Sequence, residues 1–212
     1  HQQRLKSFNS IKPTMKIKSV KPFILHVPVT GSQIADSTHS ISHWGVVGAQ
    51  IETEDGLTGY GFTGTHAHLA SDHLITRCIE TCHAPLLVGE DSRDITRLWQ
   101  KLARNPALQW VGRAGITSLA HAAIDVALWD LKAKAMDVPL YELLGGRTRN
   151  HIECYQSYGT LNVDNARDSA RATMDAGFRA VRFHGIDYDA NGTLDMRRAV
   201  AETARVCEQL RL

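Results

Sequence analysis

The 212-residue sequence predicts an α+β domain, a three-stranded antiparallel meander plus a helical bundle, followed by the first units of a (β/α) TIM-type barrel. Three observations carry that prediction. Apolar runs flank a tight Asp55-Gly56 turn near the start, a long helix of small residues occupies the middle, and strand-like and helix-like segments alternate after Arg147.

Residues 15–29 read as a strand through Ile17, Val20, Phe23, Leu25 and Val27, with Pro22 and Pro28 confining it to an edge or a bend. Residues 30–44 form a polar loop of Gly, Ser, Thr and His, long enough to need a reason. Residues 45–54 are a second strand, Asp55-Gly56 is a hairpin turn, and residues 57–63 return as a third. Residues 68–82 are helical with Leu69, His73, Ile75 and Ile79 inward, and residues 85–91 are a connector. Residues 95–103 form a short helix that Asp94 caps.

The central helix organises the rest. Ile116, Leu119, Ala123, Ala127 and Leu131 recur at three- and four-residue steps and fall on one apolar stripe. Ala120, Ala122, Ala123, Ala127, Ala133 and Ala135 favour helix and let another element approach closely. Pro139 stops the helix, Leu140, Leu143 and Leu144 carry an apolar patch, and Gly145-Gly146 breaks the chain.

After Arg147 the pattern is strand (151–158), helix (163–176), strand (180–184) and helix (194–210, with Val200, Ala204 and Val206 apolar). That is the opening of a parallel arrangement whose crossover lengths suit a barrel. Two units leave strand edges unpaired, so the chain reads as a fragment of a longer polypeptide. The expected organisation is a polar, basic, disordered leader over 1–14, an α+β domain over 15–146 and two barrel units over 147–212.

Composition narrows the function classes. Hydrophobic residues make up 43% and charged ones 22%, and 24 basic against 22 acidic side chains leave a net charge of +2. That balance argues against nucleic-acid or membrane-surface partners, and no apolar run approaches the roughly 20 residues of a membrane span. Cys78, Cys82, Cys154 and Cys207 are too scattered for a disulfide framework, which makes a reducing cytoplasm the default.

From Ala120 the order Ala-x-Ala-Ala-Ile-Asp-x-Ala-Leu-x-Asp-Leu-x-Ala-Lys, four residues, then Pro-Leu-x-x-Leu-Leu-Gly resembles the signature of the mandelate racemase/muconate-lactonising branch of the enolase superfamily. The resemblance extends over residues 15–212. It implies that residues 15–146 are a capping domain whose loops close over the barrel mouth. It also implies the shared step of that family: a divalent ion, usually Mg²⁺, holds a substrate carboxylate while a base removes the α-proton. The metal ligands are expected beyond Leu212, so none is assigned in this chain. A small-molecule carboxylate substrate and a homo-oligomer are the expected partners, with no nucleic acid and no membrane.

Candidate chemistry lies at the end of the second barrel strand. Arg182 and His184 are two residues apart and share a face, into the barrel, with Phe183 on the other. Such side chains inside an apolar barrel are costly unless used or paired, although a strand end that reaches solvent accounts for them equally well. Many members of the resembling family carry Lys-x-Lys here, and this chain departs from that pattern. Arg182 stays protonated and suits a substrate carboxylate, whereas His184 titrates near working pH and suits acid/base work. The substitution fits dehydration of an acid sugar to a 2-keto-3-deoxy acid better than racemisation by two matched bases. A racemase, epimerase or cycloisomerase of the same family, and a catalytically inert fragment, are the alternatives.

Thr38, His39, His43 and Trp44 are the expected substrate contacts from the polar loop, suited to a polyhydroxylated acid, and Tyr158 is expected to line the pocket. Three other patterns carry no site. His66, His68, His73 and His83 match no zinc spacing, and the Asp187, Asp189, Asn191 run has Arg198 where a calcium loop needs glutamate. Gly59-Tyr60-Gly61 is a hairpin feature without a phosphate-loop context.

Overall fold

Alternation of apolar and polar side chains builds the first sheet. The computed structural model describes residues 15–30, 34–35, 40–66, 68–112, 114–184, 193 and 195–211. Strands β1 (Ile17–Pro28), β4 (His43–Thr53) and β5 (Thr58–His66) form an antiparallel sheet in the order β1-β4-β5, the expected meander. Between them the polar segment is not a plain loop: Ile34–Ala35 (β2) pairs with Ser40–Ile41 (β3) as a short hairpin. Pro22 and Pro28 lie on the edge strand, as the missing N–H of proline requires. The other edge of β1 is partly covered at its start, where Ile17 N–H donates to the Glu90 carbonyl at 2.8 Å and Gly89 N–H to the Ile17 carbonyl at 2.8 Å.

Helix α1 (Ala70–Cys78) runs into a π-helical turn (Ile79–His83) and the short α2 (Ala84–Leu87). His73 is exposed on α1, and the buried residue at its side is Asp72, so the inward position expected for His73 is corrected by one residue. Helix α3 (Ile95–Ala103) buries Ile95, Leu98 and Leu102. Asp94 precedes it without capping it. Its carboxylate accepts instead from Arg97 Nε at 3.0 Å, which removes the expected cap. Helix α4 (Pro106–Gln109) is short and capped by Asn105, whose side chain accepts from Ala107 N–H at 3.1 Å.

Helix α5 (Ile116–Met136) lies against the sheet and buries Ala120, Ala123, Ile124, Ala127, Leu128 and Leu131. Its small residues meet the two glycines of β5. A Cβ on Gly61 would run into the Ala123 carbonyl and the Ala127 amide, and one on Gly59 into the Ala127 carbonyl and Leu131. The Gly59-Tyr60-Gly61 pattern is therefore the seat of the helix on the sheet. Asp137 closes α5 in the left-handed region at φ 53°, with Val138 N–H donating to the Ala133 carbonyl at 3.1 Å. The helix thus stops before Pro139 is reached, by a C-terminal closure rather than by the proline. The four-residue α6 (Leu140–Leu143) follows.

In the last third, β6 (Gln156–Thr160) and β7 (Val181–His184) pair in parallel, with α7 (Ala166–Asp175) between them and α8 (Met196–Leu210) after. Residues 151–155, expected to begin the first barrel strand, are exposed and outside any strand. The reason is the ladder itself: β7 starts at Val181, opposite Gln156, so the earlier residues have no partner on it. Leu161, Ala166 and Val206 form the core here, with Tyr158, Val163, Phe183 and Leu210 packed on it. Val200 faces solvent at 62% exposure, and α8 is capped by Asp195, which accepts from Arg197 and Arg198 N–H at 3.1 Å each.

The chain divides into two compact units. One comprises His1–Pro28 with His43–Arg147, the other Val29–Ser42 with Thr148–Leu212.

Candidate active site

Parallel pairing sets which residues share the second unit's strand ends. Ser157 stands opposite Arg182, and Thr160 opposite His184, with an irregularity between the two pairs. Phe183 packs on the helix-side core, and Arg182, its neighbour along the strand, is exposed. Alternation therefore places Arg182 on the sheet face turned away from α7 and α8, beside Ser157. His184 is the last residue of β7, and its side chain lies outside the described residues.

Tyr158, expected to line the pocket, faces the helices instead. Its hydroxyl donates to the Ser169 carbonyl at 3.0 Å and lies 2.9 Å from Thr173 Oγ1, so it is engaged by α7. One step of strand register explains the correction: Ser157, not Tyr158, shares the face of Arg182. A cavity of about 650 Å³ in this unit opens among residues 151–155 and 176–180, before the two strands begin, and Arg182 is not among its lining residues.

Of the expected loop contacts, Thr38 and His39 lie outside the described residues. His43 and Trp44 belong to β4 rather than to a loop and pair with Pro28 and Val27. The segment Val29–Ser42 groups with Thr148–Leu212, while His43 and Trp44 remain with the sheet.

A buried polar knot in the first unit escapes the sequence reading. Asp72 is fully buried, and its carboxylate receives His26 Nε2 at 2.9 Å and the Thr65 hydroxyl at 2.5 Å. A Cβ on Gly45 would stand 2.7 Å from the same carboxylate, so glycine leaves the space it occupies. The available signal is spacing: Asp72 is three residues before Ile75 and seven before Ile79, on the apolar stripe of its helix. Among the described residues no three His, Cys, Asp or Glu side chains converge into a group able to hold a metal ion, so no divalent-ion site is assigned to them. No helix among them is long and apolar enough to cross a membrane.

Comparison with known proteins decides the family. Residues 19–145 match the family described as "Mandelate racemase / muconate lactonizing enzyme, N-terminal domain". This chain belongs to the mandelate racemase/muconate lactonizing enzyme family. Within it, a D-mannonate dehydratase of Rhizorhabdus wittichii is 37% identical over 63% of this chain and 32% of its own length. A D-galactonate dehydratase of Verminephrobacter eiseniae is 36% identical over 75% of this chain and 40% of its own. The solved L-talarate/galactarate dehydratase of Salmonella typhimurium LT2, liganded with Mg and L-lyxarohydroxamate, superposes with a TM-score of 0.70. It is 25% identical over 95% of this chain and 51% of its own length. The chain thus spans about half of that solved relative and less of the two curated ones. Its meander and helices are those of the family's N-terminal domain, and the Ala120–Gly145 pattern falls inside the matched region.

Proposed function

We propose that this chain is the N-terminal part of an acid-sugar dehydratase, a hydro-lyase that removes the proton α to a carboxylate and expels the β-hydroxyl to leave a 2-keto-3-deoxy acid. The observation that carries the reading is the pair of positions at the end of β7, Arg182 and His184, in a family member whose curated relatives are named as dehydratases of D-mannonate and D-galactonate.

Arg182 binds the acidic substrate. Its guanidinium is permanently charged and offers a planar fork of donors that matches a carboxylate in bidentate fashion. The exposed face it occupies leaves that fork available to substrate. His184 holds or moves the proton, because an imidazole titrates near neutral pH and changes state without a large shift. Thr38, His39, His43 and Trp44 remain the proposed contacts for the substrate's distal hydroxyls, because their hydroxyl, imidazole and indole groups suit a polyhydroxylated acid.

Magnesium, when bound by the rest of the barrel, supplies charge that offsets the developing carbanion. Among the described residues no three His, Cys, Asp or Glu side chains converge to hold such an ion.

Full-length protein with Mg²⁺, screened against aldonic and aldaric acids with 2-keto product as the readout, tests the reading. Product from at least one acid, lost in His184→Asn, is the expected result. Product formed at full rate by His184→Asn overturns the acid/base assignment. Interconversion of epimers without 2-keto product overturns the dehydratase in favour of a racemase or epimerase.

A further inference from the structure

The sheet of the first unit has one face under its helices and one that is open. His26 reaches the buried Asp72 of α1, so Phe23, Leu25 and Val27, which alternate with it along β1, point to the other side. Gly59 and Gly61 lie against α5, which puts Tyr60 and Phe62 on that same other side. Register joins the two sets across β4: Leu25 stands opposite Val46, Phe23 opposite Gly48, and Gly48 opposite Phe62. The Phe23 ring fills the space above Gly48 that a Cβ would need, and meets the Tyr60 ring edge-on at 6.5 Å and 64°. Leu25, Val27 and Tyr60 are half-exposed and Phe62 is 65% exposed, so the rows make one continuous apolar surface.

Both edges of this sheet are guarded against a partner strand. Pro22 and Pro28 remove donors from β1, whose start is taken by Gly89 and Glu90. On β5 the Tyr60 N–H donates to the Asp130 carboxylate at 2.8 Å, and Lys134 Nζ donates to the Thr58 carbonyl at 3.0 Å. What remains for a partner is the face. No charged side chain stands on it from Phe23 to Val27 and across to Phe62. Charge begins one row below at Lys21, and beyond it Lys18 and Glu52 pair with each other at 2.7 Å. A nucleic acid, an anionic membrane or an acidic peptide would find its charge unmatched over the apolar rows. A second copy brings an uncharged surface of the same kind, and a two-fold axis doubles the area without asking for any other patch. The four most exposed side chains present on the order of 400 Å². Pairing two such patches, with Phe23 and Val46 beneath them, buries about 1,000 Å² in all, the area at which an interface becomes specific.

We propose that the open face of the β1-β4-β5 sheet is a two-fold interface between two copies of this chain, with Leu25 and Phe62 of each packed on the apolar rows of the other. The surface does not draw on the strand-end chemistry, and it stands whether or not the dehydratase reading does.

Gel filtration with light scattering on the full-length protein tests it. The wild type is expected to hold an even number of chains, and Phe62→Glu and Phe62→Lys are each expected to halve its mass. Leu74→Glu, the same kind of change at an exposed position on α1, is expected to leave the mass unchanged. Co-expression of the two Phe62 variants is expected to restore the wild-type mass in mixed pairs, because each copy's new charge then meets the opposite one. That rescue also decides the case in which neither variant folds alone. A single-chain wild type, an unchanged mass in either Phe62 variant, a halved mass in Leu74→Glu, or no recovery on co-expression overturns the proposal.

Discussion

Gly61 of β5 lies directly beneath Ala123 of α5, so close that a Cβ on the glycine would meet the alanine's backbone carbonyl oxygen. The contact is between two backbones, with no side chain able to swing aside. It holds the helix and the sheet at a spacing that only a residue without a side chain on the strand allows. Gly61→Ala is accordingly expected to destabilise the full-length protein by about 3 kcal/mol, measured by urea denaturation. Gly56→Ala, where only the positive φ of 86° is at stake and nothing stands nearby, serves as the comparison at about 1 kcal/mol. Equal costs at the two positions would show that backbone spacing is not what Gly61 provides.

Asp72 joins the ends of two strands, His26 on β1 and Thr65 on β5, through one buried carboxylate. Removing the imidazole leaves that carboxylate with the Thr65 hydroxyl as its remaining side-chain hydrogen-bond partner among the described residues. His26→Ala is expected to cost about 3 kcal/mol, and the double variant His26→Ala/Asp72→Asn is expected to recover part of the loss because no charge then remains buried. A double-mutant cycle in thermal unfolding checks both. Strict additivity would remove the coupling.

His83 and His121 give the stability a pH dependence. Burial lowers both pKa values in the folded protein, with the Thr117 backbone opposing the shift in part at His83. The unfolded chain therefore binds protons near pH 6.5 that the folded chain does not. Stability contributed by the neutral rings is fully present above that pH, is lost as pH falls through it, and levels off below the folded values. Glu90 and Asp91, held low by Lys101 and Arg97 and by Arg93, respond only in the carboxylate range further down. The melting temperature is expected to drop between about pH 7 and about pH 5, and to drop less in His121→Phe.

Arg182 is expected to act on substrate affinity and on rate together. Arg182→Gln keeps a donor but loses the charge and the fork, and about a 100-fold fall in kcat/KM is the expected loss for a charged contact to a carboxylate. Steady-state kinetics on the best acid substrate measures it. Because the side chain is exposed at a strand end, the melting temperature is expected to stay unchanged. A variant with unaltered kcat/KM would leave Arg182 as a solvated strand-end residue.

Local rules read a good deal of this molecule in advance. The stripe from Ala123 through Ala127 to Leu131 repeats within one helix, and its burial follows from periodicity alone. The meander is legible because Asp55-Gly56 separates two apolar runs at hairpin distance. The errors share a different character. Asp94 has the residue type of a cap, but Arg97 takes its carboxylate. His73 sits one position from the buried Asp72, and a one-residue error on a helix turns a side chain by about 100°.

The chain by itself determined the family, through the order of small and apolar residues along one helix, and the class of fold, through two periodicities that depend only on near neighbours. Tertiary structure alone decided the rest. It set the burial of Asp72 and of His83, the turning of Tyr158 toward α7, and the start of β6 at Gln156 rather than at His151. Each of these depends on a partner far along the chain, and a side chain's burial and hydrogen bonds are fixed only when that partner arrives.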